Sequence, residues 1–193
     1  MTIGILAIQG SVIEHKRALE KLGVIVTEVR LPEDLKGISG IIIPGGESTT
    51  ISKLIKRFGF FEVLKKQIVN GLPVWGTCAG AILLAKKVIG KNPPLTLGLM
   101  DIEVDRNAYG RQLQSFVKNV SFKSEIRNPK FENFKGIFIR APKIRPLPKS
   151  DVEILAECDG EPVMLRQKNM LVTSFHPELT DDLFVHQYFL DMC

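Results

Sequence analysis

Short apolar runs rich in β-branched residues alternate with amphipathic stretches through the first half of the chain, and this rhythm narrows the possible folds more than any other feature of the sequence. Ile3 to Ile8, Val24 to Val29, Ile41-Ile42-Ile43 and Pro73-Val74-Trp75 read as strands. Helical patterns fall near Val12 to Leu22, Thr50 to Arg57, Phe61 to Val69 and Ala79 to Ala85. Strands that are apolar at consecutive positions are covered on both faces, so a mostly parallel sheet between two helical layers is expected. The second half has shorter strands near Ile102 to Val104, Phe116 to Phe122, Ile137 to Ile139, Glu153 to Glu157, Val163 to Arg166 and Leu171 to Thr173. Cys158-Asp159-Gly160 reads as a hairpin turn, and a last helix is expected over about Asp182 to Met192. The expected architecture is a three-layer α/β sandwich with a central mixed, mostly parallel sheet.

With no internal repeat, low-complexity tract or linker, residues 1–193 are expected to form a single domain. A domain of this size buries roughly 70% of its unfolded surface and needs no staples. Cys78, Cys158 and Cys193 are odd in number and lack CxxC spacing, which predicts neither a disulfide framework nor a zinc site, and a reducing, cytoplasmic setting follows. The segment Thr2 to Ile8 has no charged leader or cleavage signature, and no apolar run approaches the roughly 20 residues of a membrane span. A soluble, unprocessed chain without a membrane partner is expected. The net charge is +5, and basic residues are interspersed with acidic ones, as in Lys16-Arg17-Ala18-Leu19-Glu20-Lys21, so the surface reads as solvated rather than as a nucleic-acid site.

Gly76-Thr77-Cys78-Ala79-Gly80 falls where a buried strand turns into a helix and has the G-x-nucleophile-x-G form of a nucleophile elbow, with Cys in place of Ser. The glycines permit the tight turn that exposes Cys78 at the carboxyl end of its strand, where open α/β sheets bind ligands. The helix amino terminus beneath favours a thiolate. Alone, the motif is also compatible with an inert buried cysteine. Ser174-Phe175-His176-Pro177-Glu178 supplies an imidazole and a carboxylate two positions apart. In an extended segment those two side chains share a face, and Pro177 biases His176 toward extended geometry. Glu178 is then expected to hold one ring nitrogen of His176 while the other faces Cys78, the arrangement of covalent catalysis.

Pro44-Gly45-Gly46-Glu47-Ser48-Thr49-Thr50 lies between a strand and a helix. Its glycines let backbone N–H groups approach a ligand, and the N–H of Gly46 with that of Ala79 is expected to form an oxyanion hole. A phosphate-binding loop is the competing reading, but the Lys that follows Gly in such loops is absent.

These segments, with Gln9-Gly10, Arg106-Asn107-Ala108-Tyr109-Gly110-Arg111-Gln112 and Ile139-Arg140-Ala141-Pro142, resemble the glutaminase subunit of pyridoxal phosphate synthase, in order and through nearly the whole chain. The elbow and His-x-Glu occur in triad-type glutamine amidotransferases generally, and the segments around Arg106 and Arg140 narrow the resemblance. It implies a flavodoxin-like glutamine amidotransferase fold. It also implies hydrolysis of L-glutamine by Cys78, His176 and Glu178, without metal or organic cofactor. Ammonia would pass to a synthase subunit within a hetero-oligomer. Glutamine-binding roles on Gly46, Glu47, Ser48, Arg106, Ile139 and Arg140 are likewise implied by the resemblance. Physically, Arg suits an α-carboxylate and Glu an α-ammonium. A glutaminase of another pathway, such as imidazole glycerol phosphate synthesis, would share the triad but lack the Arg106 and Arg140 segments. A non-catalytic binding module and a thiol hydrolase acting on peptides are more distant alternatives. His15 is assigned to a structural or interface cluster, His186 to the surface of the last helix, and Cys158 and Cys193 to no chemistry.

Overall fold

The computed structural model describes residues 1–106, 115–127 and 134–193. Of the motif that begins at Arg106, residues 107–112 therefore lie outside the described residues.

Five strands form a parallel half-sheet. They are β1 (Thr2–Leu6), β2 (Ile25–Val29), β3 (Gly40–Ile43), β4 (Val74–Thr77) and β12 (Met170–Thr173), in the order β2-β1-β3-β4-β12. The sheet continues antiparallel from β12 through β11 (Glu161–Gln167), β10 (Glu153–Cys158), β7 (Ser115–Phe122) and β8 (Phe134–Ile139). Asp159 and Gly160, both at positive φ, make the tight turn between β10 and β11 that Asp-Gly predicts. A second, three-stranded sheet joins β5 (Ala85–Ile89), β6 (Met100–Asp105) and β9 (Lys143–Pro146). The mixed sheet agrees with the sequence. The strands β5 and β9 were not expected, because Lys86, Lys87 and Arg145 are exposed on short edge segments that have no apolar run.

Alternation along each parallel strand feeds two cores. Ile3, Ile5, Ile42, Trp75 and Leu171 face one side, where α1 (Val12–Lys21) contributes Leu19 and α5 (Phe184–Leu190) contributes Val185 and Phe189. Leu6, Ile41, Ile43, Val74 and Val172 face the other, against α2 (Ser48–Arg57), α3 (Phe60–Val69), α4 (Ala79–Leu84) and the small sheet. Both faces are dry, so each of these side chains contributes about 1.5–3 kcal/mol by burial. The consequence is three layers, with every parallel strand delivering its carboxyl end to one edge. The last helix is shorter than expected because the Asp182 carboxylate accepts the N–H of Phe184 and so lies outside it. Among the described residues no helix is long and apolar enough to cross a membrane.

Candidate active site

The chain leaves β4 at Thr77 and enters α4 at Ala79, with Cys78 alone between them at φ 47°, ψ −95°. A non-glycine residue at positive φ is strained, and it is held here by the bond from Cys78 N–H to the Thr173 carbonyl, 2.8 Å. Gly80 makes the turn possible, since a Cβ there would lie 2.1 Å from the carbonyl oxygen of Ile43. The Cys78 Sγ faces the Ile139 carbonyl at 3.8 Å. As first residue of its helix, Ala79 has an N–H without an intrahelical acceptor.

The carboxyl end of β12 delivers the second group. His176 N–H donates to the Ile137 carbonyl, 2.8 Å, which fixes the segment against β8. His176 Nδ1 and Glu178 Oε1 are 2.7 Å apart, and both side chains are buried. The expected extended geometry is corrected here. Pro177–Leu179 form a single 3-10 turn, so Glu178 folds back onto its imidazole instead of sharing a strand face with it. Proline at the first helical position fixes its own φ and favours that turn.

The electrostatics separate the two groups. Burial alone would push His176 down, but hydrogen bonds with Cys78 and Glu178 and the charge on Glu178 push it up to about 10. Burial would push Glu178 up, yet the His15 and His176 rings and the hydrogen bond from His176 bring it down to about 2. Burial holds His15 itself below its ordinary range, so at neutral pH the His176 ring is the partner that keeps Glu178 ionised.

Cys78 and His176 open on a cavity of about 540 Å³ at the carboxyl edge of the sheet. Gly46, Glu47, Ser48, Ala79, Arg106, Ile139 and Arg140 all border it, so the candidate substrate residues read from the sequence come together. Glu178 lies behind His176 and does not line this cavity. Glu47 caps α2, its carboxylate accepting from Thr49 N–H at 3.0 Å and from Thr50 N–H at 2.7 Å. Although burial opposes it, these bonds and that from the Thr50 hydroxyl hold Glu47 at about 2. Arg106, at the end of β6, donates to Thr49 Oγ1 at 3.3 Å and lies 4.0 Å from Glu47 Oε1. Arg140 sits at φ 43° and is exposed at the cavity rim.

Several participants escaped the sequence reading. Gln9 was noted only as part of a motif, yet its Oε1 accepts the N–H of Glu47 at 3.0 Å. Ser11 N–H donates to the Gly45 carbonyl at 3.0 Å, which ties the start of α1 to the glycine loop. His186 is fully buried rather than on the helix surface. Cys158 is buried, and burial raises its thiol. Among the described residues no group of three or more His, Cys, Asp or Glu has the arrangement of a metal site.

The sequence matches the SNO glutamine amidotransferase family over residues 5–193. It is 55% identical to the pyridoxal 5'-phosphate synthase subunit PdxT of Fervidobacterium nodosum, over 100% of this chain and 97% of the relative. The PdxT subunit of Methanocorpusculum labreanum is 53% identical, with the same coverage of each chain. A crystal structure of a glutamine amidotransferase superposes with a TM-score of 0.89 at 44% identity, covering 98% of this chain and 97% of the other. PurLQS from Thermotoga maritima, at 17% identity and a TM-score of 0.69 over 98% of this chain and 97% of the other, shares the fold.

Proposed function

This chain belongs to the SNO glutamine amidotransferase family, and on that premise we infer that it is the glutaminase subunit of pyridoxal 5'-phosphate synthase, an enzyme of vitamin B6 biosynthesis. L-glutamine is its substrate, and the ammonia passes to a synthase subunit with which it forms a hetero-oligomer in the cytoplasm, apart from membranes and nucleic acid. The observation that carries the reading is the line Cys78, His176, Glu178, bound at 2.7 Å between the last two and opening on the cavity.

Cys78 Sγ attacks the carboxamide carbon, and the N–H groups of Ala79 and Gly46 receive the developing oxyanion. His176, whose proton is held by the Glu178 charge, gives that proton to the leaving nitrogen. The C–N bond breaks, ammonia departs and a glutamyl thioester remains. Water then gives a proton to His176 and attacks the thioester, and the C–S bond breaks to free glutamate. Glu178 stays ionised throughout and orients the ring. Arg106 and Arg140 offer the substrate α-carboxylate charge-assisted bonds, and Glu47 faces its α-ammonium. Ser48 and Ile139 complete the pocket wall.

Glutamate release from glutamine, followed with and without the synthase subunit, tests this. Cys78→Ala should abolish release, and a glutamine-like electrophile should label Cys78 rather than Cys158 or Cys193. Burial raises the Cys158 thiol and pushes Cys193 up to about 11, which suppresses the reactive thiolate at both. Release by the Cys78→Ala variant would overturn the assignment.

A further inference from the structure

Behind Glu178, on the side away from the cavity, lies a polar cluster that the reaction described above does not use. It joins three elements: His15 of α1, Thr77 at the end of β4 and His186 of α5, all fully buried. His15 Nε2 lies 3.2 Å from Thr77 Oγ1 and 3.6 Å from Glu178 Oε2. His15 Nδ1 lies 3.1 Å from His186 Nε2. Trp75 packs edge-on against both imidazoles, with ring centroids 5.2 and 4.9 Å away, and closes the cluster from below. Glu178 Oε2 has no hydrogen-bond partner among the described residues.

The proton positions follow from the acceptors. A carboxylate has no proton to give, so a lone pair on His15 Nε2 would oppose the charge on Oε2. The proton of His15 therefore sits on Nε2, where it reaches the Thr77 hydroxyl and turns an N–H dipole toward Glu178. His15 Nδ1 is then an acceptor and must take the proton of His186 Nε2. His186 Nδ1, which has no partner among the described residues, is left as a bare lone pair and not as an orphaned N–H. This set leaves no imidazole N–H stranded among the described residues, and the opposite set would strand that of His186 Nδ1. Burial keeps both imidazoles below their ordinary range, so the cluster offers Glu178 a dipole without competing for its charge.

We propose that His15 is a positioning residue for the reaction, fixing Glu178 against the strand that ends in the nucleophile, with His186 setting its tautomer. This deepens the function proposed above and rests on it. Glu178 belongs to a one-turn 3-10 segment and carries a side chain with three rotatable bonds. The bond to His176 restrains Oε1, and among the described residues Oε2 has no hydrogen-bond partner and faces His15 Nε2 at 3.6 Å. Because Thr77 immediately precedes Cys78, the same imidazole ties the orienting carboxylate to the nucleophile's own backbone. At 3.6 Å the contact to Glu178 is ion–dipole and not a full hydrogen bond, so its effect is directional.

The test uses His15→Gln, His15→Asn and His15→Leu in the complex with saturating synthase subunit. Gln places an N–H near the position of Nε2, Asn replaces only Nδ1, and Leu replaces neither. His15→Asn and His15→Leu should lower kcat by about tenfold or more while KM changes less than about twofold, and His15→Gln should recover most of the loss. The downfield proton resonance of His176 Nδ1 bound to Glu178 should shift or broaden in the Asn and Leu variants and persist in Gln. Wild-type kcat in all three variants would overturn the proposal. So would equal losses in Gln and Asn that track loss of thermal stability, which is the signature of a packing role. An inactive wild-type complex would instead count against the glutaminase reading itself.

Discussion

Gly45 and the imidazole of His176 are so close that a Cβ on Gly45 would lie 2.4 Å from Cε1 and 3.0 Å from Nδ1. The ring cannot retreat cheaply, because it is buried and bound to Glu178 on its Nδ1 side. Gly45→Ala should therefore leave the sheet intact but turn His176 away from Cys78. A displacement of about 1 Å at a reacting group costs on the order of 10² in rate. Turnover of the complex measures the effect, with thermal unfolding as the control for folding. Unchanged turnover would mean that the loop, and not the ring, gives way.

That contact joins two segments 131 positions apart, and it shows what a sequence does and does not make legible. The elbow and the parallel strands were readable because each is written locally, in glycine spacing and consecutive apolar residues. The joining of Gly45 to His176 was expected only as a shared site. His15 was expected in a structural or interface cluster and lies in one, whereas the burial of His186 was not readable, since a lone histidine on an amphipathic helix reads as surface and its meeting with His15 depends on α1 and α5 packing over the same sheet face. The His-Pro-Glu segment carried the right residues and the wrong local geometry. Proline permits both an extended entry and a 3-10 turn, and only the tertiary contact with β8 selects the turn.

Arg106 and Arg140 border the cavity in different ways, so their substitutions should separate. Arg106 is tied to Thr49 and lies beside Glu47, whereas Arg140 stands at the rim in a conformation that favours glycine. Arg106→Ala should raise KM for glutamine by roughly tenfold to over a hundredfold, the equivalent of about 1.5–3 kcal/mol for one charge-assisted bond. Arg140→Gly keeps the backbone geometry while removing the side chain, so a rise in KM there reports the side chain and not a backbone shift. Saturation curves unchanged in both variants would remove the pair from substrate binding.

Stability should fall on both sides of neutrality, for different residues. His186 is depressed from 6.5 to about 3 by burial, so its contribution is complete above pH 6.5 and is lost as the pH falls toward 3. Glu178, depressed from 4.5 to about 2, adds a loss between about pH 4.5 and 2. His176 has the opposite sign. Raised from 6.5 to about 10, it stabilises fully below pH 6.5 and less as the pH rises through 10. Urea midpoints measured against pH should therefore peak near neutrality, and His186→Phe, which cannot be protonated, should flatten the limb between pH 6.5 and 3. An unchanged acid limb in that variant would assign the titration elsewhere.

The isolated chain should be a poor glutaminase that the synthase subunit switches on. The Gly45 carbonyl is held by Ser11 N–H at 3.0 Å, and in a trans peptide the Gly46 N–H must then point to the opposite side. Glu47 N–H is held by Gln9 at 3.0 Å, so residues 9 to 11 grip the glycine loop at both of these peptide units. A partner that engages this grip controls where the Gly46 N–H points. One oxyanion donor is worth about 10²–10³ in turnover, which is enough for a strong switch. Only a partner that binds the competent loop more tightly than the incompetent one can shift the balance. Reciprocity then requires glutamine, if it favours the same loop state, to strengthen subunit association. Turnover titrated with synthase subunit measures the first effect, and subunit affinity with and without glutamine on Cys78→Ala measures the second. Full activity in the isolated chain would end the gating argument and leave the roles of Cys78, His176 and Glu178 untouched, because Cys78 is held by Thr173, His176 by Ile137 and Glu178 by its bond with His176, none of which passes through the Gly46 N–H.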